Sequence, residues 1–106
     1  MTAYTYVLVR KDIPAVQRAV QACHASLHAG FAFDEPEDVP SLVLLQVENE
    51  LALEAAAQNL DRCLVEHKLF YEPDFGPMGF TALATKPLTD KKHRRLFAAY
   101  EKLALS

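Results

Sequence analysis

The fold is decided by residues 4–29, which read YTYVLVRKDIPAVQRAVQACHASLHA. The first seven of these residues are mostly β-branched, aromatic or leucine, and they predict a strand over residues 4–10. Asp12 is a good N-cap and Pro14 is tolerated in a first helical turn, so a helix is predicted to follow. It should run to about Ala29, because a glycine at the next position is a typical stop signal.

Two stripes of side chains follow the predicted helix. An apolar stripe has successive spacings of 4, 3, 4 and 4 residues and consists of Val16, Val20, Cys23, Leu27 and Phe31. A polar stripe, spread over about 60° at about 100° per residue, consists of Gln17, Gln21, His24 and His28. We expect the apolar stripe to pack on the sheet, which puts the polar stripe half buried at the edge of the helix–sheet contact.

The rest of the chain contains three more strand-like segments and two more helical ones. Strands are predicted at residues 41–47, 68–71 and 80–85, and helices at residues 50–64 and after Thr89. Asn49 is a good N-cap for the first of these helices, and the proline-containing residues 33–40 and 72–77 are loops. The order β-α-β-α-β-β-α favours an α/β fold with a mixed, partly parallel sheet and helices on its faces. The main competitor is a ferredoxin-like arrangement, which would end on a strand instead of a helix.

Size and composition indicate one domain, residues 1–106, with a single core. The chain has 106 residues and is 51% hydrophobic, whereas two cores would leave each half near the lower limit of independent stability. The N-terminus lacks a signal-peptide pattern, and no apolar run is long enough to span a bilayer. Cys23 and Cys63 lie in helix-like segments and are expected to be buried thiols rather than a disulfide. We therefore expect a cytoplasmic protein.

Charge is segregated along the chain, although the net value is only −3. Acidic residues collect at residues 34–38, and a basic run occupies residues 91–95 at the start of the last predicted helix. Positive charge at a helix N-terminus opposes the helix dipole, which points to an anionic partner such as a phosphate. A solvated helix face is the commoner explanation of such a run, and the sequence alone leaves both open.

His24 is the strongest candidate for chemistry. A half-buried imidazole can hold a proton, pass it on or position a water molecule, but structural histidines are more frequent than catalytic ones. His28 follows at the spacing of a second metal ligand, yet no further His or Cys pair has ligand spacing, so no metal is predicted. Asp74 by itself is a turn former, and Thr81 is an ordinary strand residue. The sequence contains no nucleophile elbow, phosphate-binding glycine loop or dinucleotide fingerprint.

Four short motifs occur in an order that is more informative than any one of them. They are Tyr6-Val7-Leu8-Val9-Arg10, Gln21-Ala22-Cys23-His24-Ala25, Glu72-Pro73-Asp74-Phe75-Gly76 and Thr81-Ala82-Leu83-Ala84. Together they resemble the second-type peptidyl-tRNA hydrolase family, in particular its divergent branch of peptidyl-tRNA hydrolase domain-containing relatives. The resemblance extends over nearly the whole chain. It implies a three-layer α/β/α fold with a four-stranded mixed sheet, and it implies no cofactor.

The resemblance also implies an activity, which is hydrolysis of the ester between peptide and tRNA by water, without a covalent intermediate. His24 would activate or position the water, Asp74 would orient the water or the imidazole, and Thr81 would hydrogen-bond the substrate. The implied substrate-binding residues, on the first helix, in the loop and on the basic last helix, are Gln21, Arg18, Gly76, Lys91, Lys92, Arg94 and Arg95. Arg10 and Lys11 would add contacts to tRNA phosphates.

Two departures from the family pattern favour a second interpretation. The Gly-Lys-Gly-Lys stretch of typical members is replaced by Ala-Val-Gln-Arg at residues 15–18, and arginine does not readily give up a proton. The loop of residues 76–81 is also shorter and lacks a second acidic residue. The alternative is a module of the same fold that binds tRNA or protein without hydrolysis. A small-molecule regulatory domain would require the ferredoxin-like arrangement, and a homodimer is a further expectation for a small domain of this kind.

Overall fold

The computed structural model describes residues 2–74 and 78–106. Its strands are β1 (Tyr4–Arg10), β2 (Ser41–Val47), β3 (His67–Glu72), β4 (Gly79–Thr85) and β5 (Glu101–Lys102). Its helices are α1 (Ala15–Ala32), α2 (Glu50–Arg62) and the single turn α3 (Lys91–Arg94), which continues into a 3₁₀ turn (Arg95–Phe97). The first two strands occupy the predicted residues, and α2 begins after the predicted cap, because the Asn49 side chain accepts the backbone N–H of Ala52 at 2.9 Å.

The strands form one mixed sheet in the order β3-β4-β1-β2-β5. β1 and β2 are parallel, and the other three pairs, β1–β4, β3–β4 and β2–β5, are antiparallel. The predicted α/β class and mixed sheet are therefore confirmed. The sheet has five strands and not four, and the chain ends beyond a short strand and not on a helix.

The end of the chain differs from the prediction for a local and a tertiary reason. α3 is capped by Asp90 and not by Thr89. Its first turn contains basic side chains and no acidic one, and the helix dipole disfavours positive charge at a helix N-terminus. The free edge of β2 meanwhile offers unpaired backbone groups. Glu101 and Lys102 pair with this edge, which ends the helical segment.

Two apolar clusters lie on opposite faces of the sheet. On one face, α1 packs on side chains of β1 and β4, and the buried residues are Val7, Val9, Ile13, Ala22, Ala25, Ala29, Ala82 and Ala84. On the other face, α2 and the 3₁₀ turn pack on alternate residues of the same strands; the cluster includes Tyr6, Leu8, Leu45, Leu53, Leu60, Leu83 and Phe97. The period of two residues along each strand separates the two clusters.

The orientation of α1 is the main correction to the sequence analysis. The stripe expected to pack on the sheet faces outward, with Val16, Cys23, Leu27 and Phe31 all exposed. The buried face carries Gln21 and three alanines, whose small side chains let the helix backbone approach Ala82 and Ala84 of β4 closely. Size and hydrogen-bond partners thus decided which stripe is buried, and hydrophobicity alone did not.

Further local corrections concern the ends of α1 and the faces of β2. Asp12 does not cap α1, because its carboxylate accepts two hydrogen bonds from Arg10, each at 2.9 Å. The helix passes through Gly30 to Ala32, so that glycine is not a stop. The apolar run of β2 predicts a strand covered on both faces, but Leu42 and Leu44 are exposed.

Cys23 and Cys63 are free thiols, as expected, although Cys23 is exposed and not buried. Within residues 2–74 and 78–106, we find no helix that is both long enough and apolar enough to cross a membrane.

Candidate functional site

Gln21 joins three elements at one end of the sheet. It is completely buried on α1, and its Nε2 amide donates to a carboxylate oxygen of Glu72 on β3 at 2.7 Å. Its Oε1 accepts the hydroxyl proton of Thr81 on β4, also at 2.7 Å. The same amide donates more weakly to the Oε1 of Gln17, one helical turn earlier, at 3.3 Å. A buried polar network links α1, β3 and β4, which makes the positions of these side chains interdependent.

Glu72 is a buried carboxylate that remains ionised. Only 2% of its surface is exposed, and one oxygen accepts the backbone N–H of Asp74 at 3.0 Å while the other accepts from Gln21. The Asp74 N–H, then the Gln21 amide, and to a smaller extent the positive charge of His24, lower the pKa of Glu72 below its usual value, against the opposing effect of burial. The site therefore contains a fixed negative charge.

A local irregularity in the β3–β4 pair places Thr81 in this network. Phe70 pairs with Ala82 and the next residue, Tyr71, pairs with Phe80, so Thr81 is an extra residue on β4. Such a bulge shifts the alternation of side chains by one position. Thr81 therefore points to the α1 face, as Ala82 does, and reaches Gln21. Its hydroxyl proton is used by Gln21, which makes Thr81 a positioning residue for Gln21.

His24 lies one turn after Gln21 and stacks on an aromatic ring of β3. The imidazole and Phe70 ring centroids are 4.8 Å apart, with an interplanar angle of 9°. His28, one turn further, meets the same ring edge-on at 6.3 Å. His24 is half buried, as predicted. Phe70 thus holds the imidazole on the face of β3 that also carries Glu72.

The structure brings together three of the residues singled out from the sequence, which are Gln21, His24 and Thr81. The backbone of Asp74 joins them through Glu72, while the Asp74 side chain is exposed. Gly76, one of the implied substrate-binding residues, lies outside the described residues.

Glu72 was missed because Pro73 made it look like the first residue of a loop. The only signal in the sequence was its position two residues after Phe70, on the same face of a strand.

The arginines and the lysine near α1 are engaged elsewhere. Arg18 donates to the backbone carbonyls of Ile13, at 3.0 Å, and Ala104, so it ties α1 to the C-terminal segment. Arg10 is paired with Asp12 and also donates to the carbonyls of Met78 and Phe80, which supports the start of β4. Lys11 pairs with Glu48 at 2.7 Å. None of these contacts includes a member of the Gln21 network.

The basic residues of the last helical segment lie on the other face of the sheet. The guanidinium of Arg94 lies 3.9 Å from the ring centroid of Tyr4 and donates to the hydroxyl of Tyr6 at 3.2 Å. Tyr6 belongs to the α2-side cluster and stacks on Phe97 at 4.2 Å. His24 and the basic residues of this segment therefore lie on opposite faces of the sheet.

These basic residues surround a groove of about 470 Å³. Its cationic side chains are Lys91, Arg94, Arg95 and Lys102, and its aromatic walls are Tyr6, Phe97 and Tyr100. The cations suit an anionic ligand such as a phosphate, whereas the rings of Tyr6 and Phe97 are buried and stacked on each other. In the part of the chain that the structure describes, no three His, Cys, Asp or Glu side chains converge as metal ligands.

Comparisons with known proteins show the fold and no more. No family model matches the chain, and no curated protein matches it. Among solved structures it is similar to a protein of unknown function from Agrobacterium tumefaciens, with a TM-score of 0.71 and 13% sequence identity. The similarity covers 98% of this chain and 99% of the other. At this identity it is a likeness of fold and not of activity.

Proposed function

We propose that the protein hydrolyses the ester between the acyl group and the ribose of a peptidyl-tRNA, as members of the second-type peptidyl-tRNA hydrolase family do. The main support is one arrangement, in which His24 follows by one helical turn the Gln21 whose amide binds the buried, ionised Glu72 and accepts from Thr81. An imidazole next to a fixed negative charge is suited to accept a proton, because the carboxylate stabilises the imidazolium that results. We also propose that the chain has the three-layer α/β/α architecture that the resemblance to this family implies.

His24 is the general base in this mechanism. It takes a proton from water as the water oxygen attacks the ester carbonyl carbon, and it returns the proton to the ribose oxygen as the carbon–oxygen bond breaks. The products are a free carboxylic acid and a tRNA with a free hydroxyl, and no covalent enzyme intermediate forms. The exposed carboxylate of Asp74 orients the water. Gln21 and Thr81 keep Glu72 in place and do not touch the substrate.

The test is release of an N-blocked amino acid from charged tRNA by the purified protein. His24→Ala should lower the rate by about 10²- to 10⁴-fold, the usual contribution of a general base. Asp74→Asn should also lower it, and Glu72→Gln should lower it without a change in the affinity for tRNA. His28→Ala is the matched control, because it removes an exposed imidazole that contacts the same Phe70 ring. If the His24→Ala variant hydrolysed the substrate at the wild-type rate, this would contradict the assignment of His24 as the general base.

The second candidate is a module that binds nucleic acid without cleaving it. It is favoured by two observations: Arg18, at the position of the family's lysine, is bound to backbone carbonyls, and the basic aromatic groove lies away from His24. In this case tRNA affinity should fall in Lys91→Glu and Arg95→Glu and should weaken as salt rises. Arg62→Glu, at the exposed end of α2, is the control. Salt-dependent binding without turnover supports the module, whereas neither binding nor turnover contradicts both candidates.

A further inference from the structure

The outer edge of β2 is covered over only part of its length. β2 lies next to the end of the sheet, and β5 pairs with Leu45 and Gln46 alone. The Leu103 N–H then donates to the Leu44 carbonyl at 3.0 Å, after which the chain turns away, and the Ala104 N–H donates to the Gln46 side chain at 3.0 Å. In the part of the chain that the structure describes, the first half of β2 therefore has no strand on its outer edge.

The open edge offers backbone hydrogen-bonding groups. In a strand, the N–H and C=O of one residue point to the same side, and successive residues point to opposite sides. Ser41 and Val47 bond to the β1 side, whereas the Leu44 carbonyl points to the outer edge, so the Leu44 N–H and both groups of Leu42 also point outward. No backbone group of residues 2–74 or 78–106 bonds to these outward groups. Unpaired groups of this kind are a template on which a further strand can form.

On the α1 side, this edge presents two exposed leucines. Leu44 pairs with Val7 of β1, and Val7 is buried under α1, so Leu44 and Leu42 both point to the α1 side. α1 packs on β4, β3 and β1, which leaves Leu42 57% exposed and Leu44 39% exposed. A strand added at the edge would place every second side chain beside these leucines. Apolar side chains suit these positions, because they would bury the leucines.

On the α2 side, the same edge borders the basic aromatic groove. Lys102 shows how a strand is oriented here, because it pairs with Leu45 and its side chain lines the groove. Lys91 and Arg95 line the groove as well, and the ion pairs of the described residues include none of these three cations. The other alternate side chains of an added strand would face these cations, so acidic side chains suit these positions.

We infer that this edge binds an extended segment of a partner protein in which acidic and apolar residues alternate. The segment lies antiparallel to β2, as β5 does, and its backbone bonds to Leu42 and Leu44. Its acidic side chains face the basic aromatic groove, and its apolar side chains cover the two leucines. Strand addition to a sheet edge takes its affinity from main-chain hydrogen bonds and its specificity from alternate side chains.

The edge as a whole fits a peptide better than a nucleic acid. A nucleic acid supplies phosphates for the cations, but it cannot continue the hydrogen bonds of the sheet, and it leaves Leu42 and Leu44 exposed. The rings of Tyr6 and Phe97 are buried and stacked on each other, so they offer no free face to a base. The edge is also separate from the proposed hydrolytic site, because His24 contacts β3 at the opposite end of the sheet.

Fluorescence anisotropy of a labelled peptide tests binding at this edge. The probe is a short peptide of alternating glutamate and valine, and its matched control has the same composition with the two residue types in separate blocks. The alternating peptide should bind the wild-type protein more tightly than the block peptide does. Arg95→Glu and Lys102→Glu should each weaken its binding by about 5- to 10-fold, because an attraction becomes a repulsion. Arg62→Glu, at the exposed end of α2, should leave the affinity unchanged.

Methylation of the peptide backbone shows whether the bound peptide forms a strand. In an antiparallel pair, the residues opposite Leu42 and Leu44 are the valines, and their N–H groups point to β2. Methylation of the valine nitrogens should therefore abolish binding, whereas methylation of the glutamate nitrogens should not. Amide hydrogen exchange of the protein should slow at Leu42 and Leu44 when the unmethylated peptide is bound. Any other pattern of binding by the two methylated peptides overturns the inference.

Other occupants of the edge give different results. Tighter binding of a short single-stranded RNA than of the alternating peptide would make the groove a nucleic-acid site and overturn the inference. So would a peptide-free protein that sediments as a dimer and becomes monomeric in Lys102→Glu, since a second copy would then occupy the edge. Absence of peptide binding overturns it as well. None of these measurements uses hydrolysis, so the edge and the proposed function can fail separately.

Discussion

A glutamine side chain has an acceptor and two donor protons, and Gln21 uses both kinds of group in a fully buried position. Its acceptor is satisfied by Thr81 and a donor by Glu72. Among the described residues, every buried side-chain nitrogen and oxygen has a hydrogen-bond partner. Loss of one partner would therefore leave a buried polar group unsatisfied, which costs more than the bond itself contributes.

Thr81→Val tests this network with a change of almost no volume. The valine cannot donate to Gln21, and the buried Oε1 would be left without its donor, so we expect a loss of about 1 to 3 kcal/mol in the free energy of unfolding. Urea denaturation measures this loss. Thr89→Val, at an exposed position, should change stability by less than about 0.5 kcal/mol. Equal stability of the wild type and Thr81→Val would show that the hydroxyl is not used.

Glu72→Gln tests the charge on the buried carboxylate through the pH dependence of stability. The pKa of Glu72 is lower in the folded protein than its usual value of 4.5, mainly because of the Asp74 N–H and the Gln21 amide. The unfolded chain therefore binds this proton more tightly, so the stabilisation is complete above about pH 4.5 and disappears as the pH falls through the folded value.

The stability advantage of the wild type over Glu72→Gln should accordingly be largest at neutral pH and should shrink between pH 5 and pH 3, roughly the range in which carboxylates titrate. Urea midpoints across this range measure it. The exposed Glu37→Gln should show no such trend. A constant difference between the wild type and Glu72→Gln would mean that the carboxylate titrates alike in the folded and unfolded states.

At the level of elements, apolar burial is not the only interaction that positions α1 and the start of β4. Alanines bring α1 close to the sheet, and Glu50 at the start of α2 accepts the backbone N–H of Phe80 at 2.7 Å. Gly79, just before this contact, has a φ of +71°, and an added Cβ would fall on the Glu50 carboxylate. A glycine is required at position 79 because the φ is positive and because there is no space for a Cβ.

Gly79→Ala should lower the free energy of unfolding by about 1 to 3 kcal/mol, because alanine is strained at this φ and displaces the carboxylate. Gly30→Ala is the matched control with the opposite sign. Gly30 lies inside α1 with no atom within 4 Å of an added Cβ, so alanine should stabilise the helix by about 0.5 to 1 kcal/mol. Thermal and urea denaturation of both variants measures these changes in the free energy of unfolding. The same sign for both substitutions would contradict this account of β4.

On the scale of the whole molecule, the sheet separates two surfaces with different chemistry. The Gln21 network and the outward stripe of α1 belong to one side, while the basic aromatic groove and α2 belong to the other. An activity at His24 and binding at the groove can then be removed independently.

This separation predicts additive effects on stability. Leu60→Ala on the α2 side should cost about 2 to 5 kcal/mol, because Leu60 is buried and leaves a cavity. Combined with Thr81→Val, which acts on the α1 side, the cost should equal the sum of the single losses within about 0.5 kcal/mol, since the two residues share no partner. Urea denaturation of the two single variants and the double variant measures the coupling. A coupling well above 0.5 kcal/mol would show that the two faces are linked through the sheet.

The sequence by itself determined the order and most of the bounds of the elements, because these depend on local patterns. β1, β2 and the Asn49 cap of α2 were predicted to the residue, and Gln21, His24 and Thr81 were recognised as a possible group. The basic run at residues 91–95 was also evident, but not the face of the sheet on which it lies.

Only the tertiary structure decided which side of α1 is buried. Gln21 is acceptable in the core because Glu72, 51 residues away, and Thr81, 60 residues away, satisfy its amide, and no local window contains these partners. The bulge that turns Thr81 toward α1 is likewise a property of two paired strands and not of one. A hydrophobic stripe indicates which face a helix could bury, whereas the partners available in three dimensions determine which face is buried.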